Sequence, residues 1–230
     1  MSAIVRFEGR RYPQGFYIEE RDPDQYAWSS PRKPKPKKPW LWLVAKGHAR
    51  GKARPPSESY VLEGTDNRVF LDVANTEPSP EGIVAFADRW GMLERVGLES
   101  PLQRLYDITS EIREAATYMA NGPVSPHYPS RVARMFSVDL GLCRDVLTGD
   151  NEPRIFLRAW TLLDFCRAEF MQLLDGGVEI RSCPYCGTLF GVGKVGKPPI
   201  YCSDACRVAM HRRHKKEQKS TALRSHARAR

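Results

Sequence analysis

The sequence predicts an α+β protein with a small N-terminal β region, a mainly helical middle domain and a compact C-terminal module that contains four cysteines. Short apolar and alternating runs before residue 75 are typical of strands, whereas amphipathic runs between residues 79 and 174 are typical of helices. The four cysteines form two spaced pairs. We therefore expect a β-rich region over 1–60, a helical domain over 61–177, the cysteine module over 178–219 and a basic tail over 220–230.

Four strand signals occupy the N-terminal third. Turn residues within 3–28 predict a hairpin, and the apolar run 40–45 predicts a buried strand. Two further strands are expected at 60–62 and 68–73. The Pro- and Lys-rich segment 31–39 disfavours a helix, so it is expected to be a linker, a loop or a basic arm.

Three amphipathic helices are expected in the middle domain. The first begins at Ser79, which is a favourable N-cap, and the second spans 101–121. The third, predicted to be the longest of the chain, spans 154–174. Between them, residues 131–148 fit no clear pattern, and a short helix around 146–147 is one interpretation.

The net charge of +9 is concentrated in two segments. Residues 207–230 contain nine Lys and Arg against one acid, and residues 32–54 contain nine and no acid, so the rest of the chain carries −8. Such segregation predicts a polyanionic partner.

No apolar run approaches the roughly 18 residues that a membrane span needs. For this reason we expect no membrane partner. The cysteine spacing favours a metal over disulfides, so we also expect a reducing, cytoplasmic setting.

The cysteine pairs have the spacing of a tetrahedral four-thiolate site. Two cysteines enclose two residues, fifteen residues follow, and the second pair encloses three. One structural Zn²⁺ is expected, although iron would fit the same ligands, and His211 or His214 is an alternative ligand. The expected ligands are Cys183, Cys186, Cys202 and Cys206.

The elements around these cysteines predict a treble-clef-like zinc finger. A short strand over 178–181 leads into a knuckle, a hairpin or loop is expected over 191–200, and a basic helix begins near the last pair. The exposed cations of that helix are expected to contact phosphates of double-stranded DNA, the alternative being a solvated helix end. The predicted nucleic-acid-binding residues are Arg207, His211, Arg212, Arg213, His214, Lys215, Lys216 and Lys219.

Two segments resemble a family of bacterial regulators. The run LLDGGVEIRSCPYCGTLF followed by YCSDAC is similar to the CGNR-type zinc finger, and FLDVANTEPSPEGIVAFADRWGML is similar to the start of the ABATE domain that accompanies it. The resemblance implies DNA binding, transcriptional control and a helical domain that senses a small-molecule effector. The chain departs from the family after Cys206, where Arg207-Val208-Ala209 replaces Gly-Asn-Arg, and the spacing before Cys206 is one residue short.

Within the ABATE-like segment, three residues match the family's Asp-x-x-Asn-Thr run. By resemblance, Asp72, Asn75 and Thr76 are candidate ligand-binding residues. The alternative is a structural role in a strand-end turn beside a helix cap.

A nuclease is the enzymatic alternative, because treble-clef scaffolds can hold a catalytic metal. The segment between Cys186 and Cys202 contains no His, Asn, Asp or Glu, so it has neither a general base nor further metal ligands. We therefore expect a binding protein and not an enzyme. The sequence does not separate DNA from RNA, so an RNA-binding or protein-interaction module remains the other candidate.

Overall fold

The chain mixes helices and sheets, which confirms the predicted α+β class. The computed structural model describes residues 5–21, 40–48, 55–64, 68–94, 99–121, 140–145, 154–193 and 198–228. The strands in these ranges are β1 (Val5–Arg11), β2 (Phe16–Arg21), β3 (Trp40–Ala45), β4 (Glu58–Glu63), β5 (Glu99–Pro101), β6 (Leu140–Asp145), β7 (Arg154–Ala159), β8 (Glu179–Ser182) and β9 (Leu189–Val192). The helices are α1 (Val69–Asn75), α2 (Pro80–Trp90), α3 (Leu102–Asn121), α4 (Leu162–Asp175) and α5 (Asp204–Arg228).

The described strands form three sheets. The first has the order β4-β1-β7-β6, in which β1 is antiparallel to β4 and parallel to β7. The second is antiparallel with the order β2-β3-β5, and the third is the β8-β9 pair. The first sheet therefore combines strands from the N-terminal third with strands from the middle of the chain.

The predicted N-terminal hairpin is wrong, although both of its strands exist. Gly15 N donates to Tyr12 O at 2.7 Å, and Gly15 has the positive φ of 76° that a tight turn needs. After this turn, Phe16 N donates to Asp88 Oδ1 of α2 at 2.8 Å, and Phe16 pairs with Ala45 of β3. The chain thus turns a corner from one sheet into another.

The strand predicted at 68–73 is instead helix α1. Five of its seven residues are buried, so the run has no exposed face, and an apolar run of this length does not distinguish a strand from a buried helix. Its N-terminus is capped from elsewhere, because Phe70 N donates to Glu169 Oε2 of α4 at 2.7 Å. Burial raises the pKa of Glu169 to about 7, against the lowering effect of the amides that donate to it.

The helix predicted over 154–174 begins eight residues later than expected and is not the longest. Residues 154–159 form β7, and α4 starts after Thr161, whose Oγ1 accepts from Asp164 N at 3.0 Å and donates to Asp164 Oδ2 at 2.6 Å. This Thr-x-x-Asp arrangement is a helix-start signal that the amphipathic pattern concealed. Both α3 and α5 are longer than α4.

Other sequence predictions are confirmed. Ser79 Oγ accepts from Gly82 N at 3.1 Å as the N-cap of α2, and α3 ends at Asn121 as expected. The segment 31–39 and the helix suggested around 146–147 lie outside the described residues. In the part of the chain that the structure describes, no helix combines the length and apolarity needed to cross a membrane.

One hydrophobic core joins the helices to the cysteine module. Phe70 of α1 and Phe170 of α4 stack at 4.4 Å between ring centroids, and neither is exposed to solvent. Ile180 of β8 and Leu189 of β9 belong to the same core. The strands that carry the first cysteine pair are therefore packed on the helical part of the protein.

Candidate metal centre and cationic helix

The first cysteine pair lies in the turn between β8 and β9. Cys183 N donates to Thr188 O at 2.9 Å, and Gly187 N donates to Cys183 O at 2.8 Å. Gly187 has a φ of 75°, which favours glycine. The knuckle is thus the tip of the β8-β9 hairpin, whereas the sequence predicted a hairpin or loop after the knuckle, over 191–200. That expectation is corrected in part, because 189–192 is a strand, while 194–197 lies outside the described residues.

The second cysteine pair lies at the start of α5. Cys206 N donates to Ser203 Oγ at 3.3 Å, so Ser203 caps the helix. Cys202 and Cys206 are four residues apart, and their sulfur atoms are 3.6 Å apart.

The four sulfur atoms form a compact group that can hold one metal ion. All lie within 4.8 Å of one another, and Cys186 Sγ lies 3.5 Å from Cys202 Sγ and 3.7 Å from Cys206 Sγ. A tetrahedral Zn²⁺ with Zn–S bonds near 2.3 Å separates its sulfur ligands by about 3.8 Å, so these residues fit that ion. In the described ranges the group contains no histidine, so the alternative ligands His211 and His214 are outside it.

The environment of the first pair favours thiolates. Burial opposes ionisation of Cys183, but backbone amides of Cys202, Cys186 and Tyr185 donate to its sulfur, and the pKa of Cys183 is lowered to about 6. Cys186 Sγ lies 3.1 Å from Thr188 Oγ1, and donation from the Thr188 hydroxyl lowers the pKa of Cys186. Thiolates are the form of cysteine that binds metals.

The eight predicted nucleic-acid-binding residues are all exposed on α5. Cys206, Ala209 and Met210 are partly buried on the inner side of its first turns, and every residue of 211–219 is exposed. Two of the cations form ion pairs within the helix, Arg207 with Asp204 at 3.1 Å and Arg213 with Glu217 at 2.9 Å. Exposed pairs of this kind are weak, so they leave a cationic surface.

The three residues matched to the Asp-x-x-Asn-Thr run all form internal hydrogen bonds. Asp72 Oδ2 accepts from Trp90 Nε1 at 2.9 Å and lies 2.8 Å from a guanidinium nitrogen of Arg89. Thr76 Oγ1 donates to Asp72 O at 2.8 Å. Within these contacts, Asp72 joins α1 to α2 and Thr76 closes the C-terminal turn of α1.

Asn75 connects α1 to the cysteine module. Its Oδ1 accepts from Leu189 N, and its Nδ2 donates to Leu189 O, both at 2.8 Å. The amide group is therefore paired with the backbone of β9, three residues after Cys186.

Sequence reasoning missed the residues that hold these elements from a distance. Glu169 caps α1 across 99 positions of sequence, and Arg113 of α3 donates through Nε to Ala74 O at 2.8 Å and through its terminal nitrogen to Thr76 O. No local signal marks such partners. Sequence reasoning also missed the exposed Tyr185, although its position between two ligands was a usable signal.

Comparisons with protein-family models, with curated proteins and with solved structures found no match for this chain.

Proposed function

We propose that the protein is a zinc-dependent, DNA-binding transcriptional regulator of the CGNR type, without catalytic activity. The observation that carries this proposal is the position of the four-cysteine group at the base of α5, whose residues 211–219 are all exposed and mostly cationic. The resemblance of the two sequence segments supports the family assignment and the regulatory role.

The residues of the knuckle and of α5 have distinct tasks in this proposal. Bound Zn²⁺ would cross-link Cys183 and Cys186 to Cys202 and Cys206, which fixes the start of α5 relative to the β8-β9 hairpin. Ser203 caps the same end of the helix. The exposed cations then approach phosphates and displace condensed counterions, so binding is sensitive to salt.

A charge-removal variant tests the phosphate contacts. Simultaneous replacement of Arg212, Lys215 and Lys216 by Ala should weaken binding to duplex DNA. It should also reduce the slope of log affinity against log salt by about 0.9 for each phosphate that α5 no longer neutralises, hence by about 2 to 3. Fluorescence anisotropy with a labelled random duplex at several salt concentrations measures both quantities.

The matched control removes the same number of charges elsewhere. Arg89, Arg104 and Arg158 each form an ion pair outside α5, with Asp72, Glu94 and Glu8 respectively. Their joint replacement by Ala should leave the salt slope unchanged. Equal slopes for the two triple variants would reject α5 as the DNA-binding element.

A second candidate is binding of single-stranded RNA, favoured by exposed apolar side chains beside the metal ligands. Tyr185 is 45% exposed, Ile200 60% and Val208 42%, and each lies within two residues of a ligand cysteine. Aromatic rings next to cations stack on unpaired bases. If RNA is the partner, Tyr185→Ala should weaken binding to an unstructured RNA oligonucleotide and Tyr185→Phe should not; equal affinities of both variants would remove this candidate.

A further inference from the structure

Asn75 pairs with the backbone of β9 much as a neighbouring strand would. Ser182 and Leu189 lie opposite each other in the hairpin, and Cys183 N bonds to Thr188 O in the adjacent pair. Opposed residues of an antiparallel pair alternate between bonded and non-bonded, so the N–H and C=O of Leu189 point away from β8. Both groups are satisfied by the one amide side chain of Asn75.

Few side chains can make this pairing. It requires a donor and an acceptor that point in the same direction from one planar group, as the amides of Asn and Gln provide. An aspartate of the same shape accepts from Leu189 N but places a second acceptor against Leu189 O.

Both sides of the contact are firmly held. At the helix end, Val73 and Ala74 are buried, and Arg113 donates to the carbonyl groups of Ala74 and Thr76. On the strand, Leu189 is only 5% exposed. β9 also approaches α1 at a second point, because a Cβ on Gly191 would lie 3.7 Å from Leu71 Cδ1.

We propose that Asn75 is a positioning residue for the metal centre: it holds β9, and with it the Cys183–Cys186 knuckle, in the geometry that binds the ion. The inference rests on metal binding by the four cysteines. Because the knuckle is fixed to α1, metal binding and folding of the helical body are thermodynamically coupled, and each stabilises the other. Asn75 is also one of the three residues that the family resemblance made candidates for ligand binding, and the positioning role is different from that one.

Zinc affinity of the full-length chain tests the role of Asn75. Asn75→Asp and Asn75→Ala should each lower the apparent Zn²⁺ affinity, measured by competition with a chromophoric chelator, by about tenfold to a hundredfold, the effect typical of removing a group that orients metal ligands. The rise in Tm on adding Zn²⁺ should shrink in both variants. Thr76→Ala is the matched control, because its hydroxyl bonds to Asp72 O within α1. It should lower Tm equally with and without the metal and retain wild-type affinity.

Two results would overturn the inference. Wild-type Zn²⁺ affinity in Asn75→Asp would show that Asn75 does not position the knuckle, and an equal fall in Tm in the metal-free and metal-loaded states would assign it a purely structural role. A wild-type chain that binds no Zn²⁺ would instead reject the metal centre on which the inference rests.

Hydrogen exchange of the wild-type chain provides a test that needs no variant. Removal of Zn²⁺ by a chelator should lower the protection of the Leu189 amide and, through the coupling, of the amides in α1. Unchanged protection of α1 after chelation would contradict the coupling even if the Asn75 variants fail to fold.

Discussion

Helices α1 and α5 are stabilised in opposite ways. α1 has seven residues and is buried on nearly all sides, and its ends are held by Glu169, Arg113 and the pairing of Asn75 with Leu189. α5 has 25 residues, is capped by its own Ser203, and is exposed throughout 211–219.

The difference separates the part of the chain that maintains the fold from the part that is free to bind a partner. Polar side chains of α1 are engaged in internal contacts, so changes there should alter stability. Those of α5 over 211–219 are exposed, so changes there should alter binding and leave global stability nearly unchanged. Variants in the two parts of the chain should therefore differ in both the size and the kind of their effects.

Truncation of the α1 core contact should have the largest effect. Phe70→Ala removes a fully buried ring stacked on Phe170 and should lower the free energy of unfolding by about 3 to 5 kcal/mol. Chemical denaturation measures the change. Val208→Ala on α5, which removes an exposed side chain, is the control and should have a small effect. Similar destabilisation in the two variants would contradict the contrast between the buried helix α1 and the exposed helix α5.

The Glu169 cap should make stability depend on pH. Its pKa is about 7 in the folded chain against 4.5 ordinarily, so the folded state keeps this proton while the unfolded state loses it. Stability from this group is therefore complete below the unfolded pKa and is lost as pH rises through about 7, a total of roughly 3 kcal/mol.

Replacement of Glu169 by Gln isolates that contribution. The variant retains an acceptor for Phe70 N but carries no charge, so it should gain stability relative to wild type as pH rises from about 5 to 8. Denaturation of both chains across this range checks the prediction. A difference that stays constant with pH would show that the buried carboxyl is not the cause.

Loss of a cap should act differently in the two parts of the chain. Ser79→Ala in α2 and Ser203→Ala in α5 each remove one N-cap hydrogen bond, which is worth about 1 kcal/mol. The first should lower the global Tm, because α2 is packed into the core. In the metal-free chain, the second should increase amide exchange only in the first turn of α5. A fall in the global Tm of the metal-free Ser203→Ala chain would show that α5 belongs to the cooperative core.

The ion pair on α5 should have the smallest effect. Arg213 and Glu217 are four residues apart and exposed, so a double-mutant cycle should give a coupling below about 0.5 kcal/mol. A much larger coupling would indicate that this part of α5 is packed against another element.

Locally encoded features were predictable from the sequence. The spacing of the four cysteines predicted their grouping, Ser79 predicted the start of α2, and the charge count predicted the cations of α5. The predictions failed where contacts distant in sequence determine the local structure. The strand predicted at 68–73 is helix α1, whose N-terminus is capped by Glu169. The predicted N-terminal hairpin does not form, and the hydrogen bond from Phe16 N to Asp88 Oδ1 accompanies the entry of the chain into a second sheet. The Thr161–Asp164 cap is a local signal that the apolar residues of 154–160 concealed.

The central claim is that a metal at the four cysteines organises α5 for binding nucleic acid. The most direct measurement is the affinity of the full-length chain for duplex DNA at fixed salt, with one equivalent of Zn²⁺ and again after chelation, using Cys202→Ser as a variant that lacks one ligand. The account predicts that chelation and Cys202→Ser both abolish tight binding and that added Zn²⁺ restores it only to the wild-type chain. Equal DNA affinity in the presence and absence of the metal would contradict it.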